Sequence, residues 1–118
     1  MKKILSLILF LFLQISFSQT QEDYQQKIIE VTDAYNAKDA GKIFNSFSPQ
    51  LQSTFTIEKV KQFLSENQSK KGPMGTSSFL LDEDKAKRYL TEFENTSMIL
   101  ILGLSPDKKI TKLILEDY

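Results

Sequence analysis

The sequence contains no histidine and no cysteine. Without imidazole, Ser-His-Asp and Cys-His catalysis, imidazole general bases and His-ligated metals are excluded. Without thiols there is no disulfide, no thiol chemistry and no Cys-ligated structural zinc. A basic cluster is lacking too. Lys70-Lys71 and Lys108-Lys109 are isolated pairs and read as solvated loop charges. Nucleic-acid binding is not expected from such a chain, and the residues point to no cofactor and no metal.

The 118 residues allow one domain. Met1-Lys2-Lys3 is a short basic start, and Ile4 to Phe17 is apolar except for Ser6, Gln14 and Ser16. The next residues, "SQTQED", are abruptly polar. This is the three-part pattern of a secretory signal peptide. The apolar run is shorter than the roughly 20 residues of a membrane span. Ser16 and Ser18 stand at minus three and minus one of a cut after Ser18, so 1–18 reads as the leader and 19–118 as the domain. An uncleaved membrane anchor is the rival reading. No Cys follows the run, which excludes a lipoprotein anchor. Removing Lys2 and Lys3 from 15 basic and 15 acidic side chains leaves 13 against 15, a net of −2. An exported chain without disulfides suits a bacterial periplasm or medium better than an animal secretory route.

Hydrophobic spacing predicts a helix over Gln21 to Ala37, with Tyr24, Ile28, Val31 and Tyr35 on one stripe, widened by Ile29 and Thr32. A second helix is expected from Asp39, as N-cap, to Phe47. Pro49 disfavours a helical Ser48 and ends it. "PQLQSTF" forms at most one further turn, with Leu51 and Phe55 inward. Thr56 caps a third helix over Ile57 to Ser69, striped by Ile57, Val60, Phe63 and Leu64. Gly72 suits a left-handed C-terminal position, and Pro73 blocks continuation.

After Gly75 the period becomes alternating. Four strands are expected: Thr76 to Leu81, Lys85 to Phe93, Thr96 to Leu104 and Ile110 to Asp117. Tyr89, Thr91 and Phe93 share one face of the second. In the third, Met98, Leu100 and Leu102 oppose Ile99, Ile101 and Gly103, so both faces are apolar and the strand is central. Short connections make an antiparallel meander. The expected fold is α+β, with the N-terminal helices on one face of a curved four-stranded sheet. The helices cover one face only, so the other should meet something, such as a second copy.

The stretch "AYNAKDAGKIFNSFSPQLQSTFTIEKVKQFLSENQSKKGPMGTSSFL" resembles a family of small domains of unknown function, numbered 3887. The ending "TSMILILGLSPDKKITKLILEDY" is similar to that family's close: an apolar strand, a D-x-x-x-I turn and a last strand. The resemblance covers about residues 24–118. It implies the nuclear-transport-factor-2-like, cystatin-like superfamily of curved sheets wrapped by helices. It also implies an exported accessory domain, often placed before a serine β-lactamase-like hydrolase in Bacteroidetes and Firmicutes. A leader ending "SFSQ" is similar to those of Bacteroidetes. Where fused relatives continue into a hydrolase, this sequence stops at Tyr118.

Three constellations have plain alternatives. Ser105-Pro106-Asp107-Lys108 has the Ser-x-x-Lys spacing of penicillin-recognising enzymes, but Pro106 and Asp107 between two strands make it a turn. Asp82, Glu83 and Asp84 lack the spaced, Gly-containing loop that calcium prefers and read as a solvated hairpin tip. Asp33 with Tyr35, or Tyr89 with Arg88, would suit acid–base chemistry in a cavity, given a buried carboxylate beside a phenol. The favoured expectation is a non-catalytic domain binding a small ligand, a peptide or a partner subunit. Phe47, Phe79, Tyr89, Phe93, Met98 and Leu100 are the candidate surface, with core packing as their plain reading. A homodimer or a hydrolase is the expected partner. A severed hydrolase front domain and a small Asp/Tyr cavity enzyme are the alternatives.

Overall fold

The structure is a computed structural model that describes residues 20–118. The expected leader and its cut after Ser18 lie outside the described residues. Helix α1 spans Gln21–Asn36. Thr20 begins it: its side chain accepts the Asp23 N–H, and the Asp23 carboxylate accepts the Thr20 N–H, both at 3.1 Å. This reciprocal cap satisfies two donors that a helix start leaves free. The expected stripe of Tyr24, Ile28, Val31 and Tyr35 is buried. Ile29 does not extend it: at 55 % exposure it stands on the flank of the helix.

Asp39 caps helix α2, Ala40–Asn45, by accepting the Lys42 N–H at 3.1 Å. The helix is shorter than its spacing predicts because Phe47 leaves it to bridge Ile110. The Ser48 N–H donates to the Ile110 carbonyl, and the Ile110 N–H to the Ser46 carbonyl, both at 2.8 Å. Helix α3 is Pro49–Thr54, with Ser48 as its cap and Pro49 in its first turn, where a missing N–H costs nothing. Thr56 caps helix α4, Ile57–Lys71. Phe47, Phe55 and Phe63 stack in sequence, with centroids 5.2 and 5.8 Å apart, and tie this corner to α4. Gly72 ends α4 at φ 79° and ψ −163°. The positive φ is as expected of glycine, but the ψ places it outside the left-handed helical region, in one that is essentially glycine's alone.

Strands β1 (Met74–Glu83), β2 (Ala86–Phe93), β3 (Ser97–Leu104) and β4 (Ile110–Asp117) form an antiparallel sheet in that order. The fold is α+β, the helices preceding an open meander. β1 is longer than its apolar run. Asp82 and Glu83 continue the ladder opposite Lys87 and Ala86, and only Asp84-Lys85 turns. The three acids of "DED" therefore diverge instead of clustering.

Met98, Leu100, Leu102 and Leu104 join Tyr89, Phe93 and Leu113 beneath the helices. Ile99 and Ile101 face the other way, with Ala86 and partly buried Leu90. No described helix covers that face, yet Ile101 is only 2 % exposed. Arg88 sits opposite Ile101, and Glu116 opposite Ile99. The Arg88 Nη1 donates to Glu116 Oε2 at 3.3 Å, and its Nε to Glu83 Oε1 at 2.5 Å. The Arg88–Glu116 pair thus crosses β3 and lays an aliphatic stem over it. The chain itself supplies much of the cover that the sequence pattern leads one to seek elsewhere.

Candidate functional site

Helix α1 is fastened to the sheet near both ends. Toward its start, the Tyr24 hydroxyl accepts the Leu104 N–H at 3.2 Å. At its end, Asn36 Nδ2 donates to the Met74 carbonyl at 3.0 Å, and Asn36 Oδ1 accepts the Met74 N–H at 2.8 Å. The Thr32 hydroxyl donates to Met74 Sδ at 3.3 Å. Between these anchors lies a groove of about 380 Å³, with Ile28, Ile29, Thr32 and Asp33 on the helix side and Ser77, Phe79 and Tyr89 on the sheet side.

Two register shifts shape the sheet side. One falls between Met74 and Ser77, the other between Phe79 and Leu81. A bulge leaves a residue unpaired and bends its strand. After the first, Ser77 meets Thr91 on the helix-facing side, their hydroxyl oxygens 2.8 Å apart. At the second, Leu80 is unpaired and Leu81 crosses to the Arg88 face. Phe79 stays with Tyr89, edge to face at 5.8 Å, while 44 % exposed. β1 is an edge strand of the sheet. Its run Phe79-Leu80-Leu81 is exposed. Lys87 adjoins this end: its ammonium lies 5.1 Å from the Tyr24 ring centroid and 5.4 Å from that of Phe79, and pairs with Asp82.

Tyr89 is the inner wall of the groove and only 2 % exposed. Its hydroxyl is buried without a hydrogen-bond partner. Burial, reinforced by nearby Tyr24 and Asp82, pushes its pKa up to about 12, so the phenol stays protonated at neutral pH. Tyr35, fully buried, is also pushed up to about 12 by burial, but donates to the Gly72 carbonyl at 3.0 Å.

Of the six candidate residues, Phe79 and Tyr89 meet in this groove. Phe47, Phe93, Met98 and Leu100 lie in the core, Phe93 edge-on to Tyr35 at 5.6 Å. Arg88 lies on the sheet face opposite Tyr89, as strand alternation requires. Asp33 does share the groove with Tyr89, but it is exposed at the rim. Ile29 reads in the sequence as part of the buried stripe of α1 and Ser77 carries no signal, because their meeting as wall residues depends on the register shifts of β1.

The Ser-x-x-Lys spacing is a turn. The Ser105 Oγ accepts the Lys109 N–H at 3.0 Å, and Lys108 turns away to pair with Asp23 at 3.3 Å. A second cleft of about 650 Å³ lies between this turn and the β1–β2 hairpin. Among the described residues no group of three acids is placed to hold a metal ion, and no helix is long and apolar enough to cross a membrane. No family model, no curated protein and no solved structure matches the chain.

Proposed function

We propose that this chain is an exported bacterial accessory domain, of the cystatin-like kind its sequence resembles, that binds a small ligand in the α1–β1 groove. The observation that carries this reading is Tyr89, which lines the groove while its hydroxyl is buried without a partner. Native interiors pair nearly all such groups, so an exception calls for a reason. The exposed Ile29 and Phe79 at the rim add apolar surface where a ligand would rest. A small molecule is favoured over an added peptide strand. The two bulges break the free edge of β1 into short pieces, and bulged edges resist strand addition.

The same groove brings Asp33 and Tyr89 to its lining, a carboxylate and a phenol such as an enzymatic reading would use. Asp33 lacks the burial that such a carboxylate needs, so the domain is read as a binder. The test is titration of the exported protein with the uncharged fluorophore N-phenyl-1-naphthylamine. The expected result is enhanced fluorescence that Ile29→Glu and Phe79→Ser each remove. No enhancement, or enhancement indifferent to both changes, rules the groove out. Sequencing downstream of codon 118 tests the tie to a hydrolase: an in-frame serine hydrolase would make this its front domain.

A further inference from the structure

Tyr24, Tyr35, Thr91 and Tyr89 are all buried, and the first three have hydroxyl partners. Tyr24 accepts from Leu104, Tyr35 donates to Gly72, and Thr91 pairs with Ser77. Among the described residues only the Tyr89 hydroxyl is left buried and unpaired. Phenylalanine would fill the same space and keep the contact with Phe79 without that penalty. A bound molecule with an acceptor would supply the partner that the hydroxyl lacks.

The chemistry of that partner follows from the lining. The phenol is protonated, so it offers a donor. The residues around the groove include one carboxylate, Asp33, and no lysine or arginine. The nearest cation described above, Lys87, is engaged by Asp82. An anion would find no counter-charge there, whereas an uncharged acceptor would find the donor. We propose that the groove, taken as the binding site above, receives an uncharged apolar molecule whose carbonyl oxygen accepts the hydrogen bond of Tyr89. The hydroxyl is sealed in the empty protein, and in this proposal the entering molecule displaces Phe79, which stands edge-on to Tyr89 and is 44 % exposed.

The test uses three probes of similar size: acetophenone, ethylbenzene and benzoate. Each is titrated into the wild-type protein and into Tyr89→Phe, with amide shifts of Ile29, Thr32 and Phe79 as the readout. Acetophenone and ethylbenzene are expected to bind the wild type, and benzoate far more weakly. Tyr89→Phe is expected to weaken acetophenone by roughly tenfold, the worth of one hydrogen bond, and to leave ethylbenzene unchanged. In the wild type, the Tyr89 ring carbon bearing the hydroxyl should shift with acetophenone and not with ethylbenzene. That measurement needs no variant. Equal loss of both neutral probes, tightest binding by benzoate, or a Tyr89 carbon that stays silent when acetophenone is added would overturn this inference and leave the groove as a site. Failure of every probe, the fluorophore included, would overturn the groove itself.

Discussion

Tyr35 and Tyr89 are both sealed from water, and only Tyr35 has a hydrogen-bond partner. Their phenylalanine variants should therefore move in opposite directions. Tyr35→Phe strands the Gly72 carbonyl and is expected to cost about 1 kcal/mol. Tyr89→Phe removes an unsatisfied group and should raise stability by about the same amount. Urea unfolding of both variants decides the matter, and a Tyr89→Phe protein weaker than wild type would mean the hydroxyl is already satisfied. Asp23 gives a pH signature at the same scale. The Thr20 backbone N–H, foremost, and then Lys108 hold its carboxyl below the usual 3.8. A lowered folded-state pKa adds stability that is present above the unfolded value and lost as pH falls through the folded one. The stability gap between wild type and Asp23→Ala is expected to be widest near neutral pH and to narrow below about pH 4, as the unfolded-state carboxyl takes up its proton. A gap constant from pH 7 to pH 2 would leave the charge no part in the cap.

The elements were largely legible because their causes are local. Asp39, Ser48 and Thr56 cap helices wherever a free side-chain oxygen can reach the N–H three residues on. Pro49 could only begin a helix or break one, and here it begins α3. The boundaries that shifted depended on distant partners. Phe47 left α2 for Ile110, and Asp82-Glu83 joined β1 because β2 lay opposite. The close approach at Gly103 was equally hidden. A methyl group there would lie 2.7 Å from Thr111 Oγ1 and 2.9 Å from the Lys85 carbonyl oxygen. The Thr111 side chain can yield, but the Lys85 backbone is held in the hairpin turn. Gly103→Ala is therefore expected to destabilise the domain by about 1–3 kcal/mol, read as a lowered denaturation midpoint. An unchanged midpoint would show that the β1–β2 turn shifts freely.

For the whole molecule, the two faces of the sheet are closed by different means. One lies under helices, and the other under the span of Arg88 from Glu83 to Glu116. The guanidinium bridges a half-buried Glu83 and an exposed Glu116, so its importance lies less in charge than in the apolar surface it shields. Arg88→Ala should uncover Ile99 and Ile101 beside the already exposed Leu81 and Ile114. Light scattering over a concentration series should then show more self-association in the variant than in the wild type. Identical masses would mean that the neighbouring side chains suffice as cover.

The amino-acid order alone pointed to the elements, the strand succession and the two alternating apolar sets of β3, because helical and strand periods are written in neighbouring residues. It also bounded the chemistry, since a chain without histidine or cysteine has few catalytic groups to arrange. Only the tertiary structure decided that Phe79 and Tyr89, but not Phe47, Phe93, Met98 or Leu100, share a groove wall. Nor could spacing foretell that one tyrosine hydroxyl would lack a partner. Both outcomes depend on two bulges in β1 and on where α1 is pinned to Met74 and Leu104. Such contacts join residues tens of positions apart, and no local period records them.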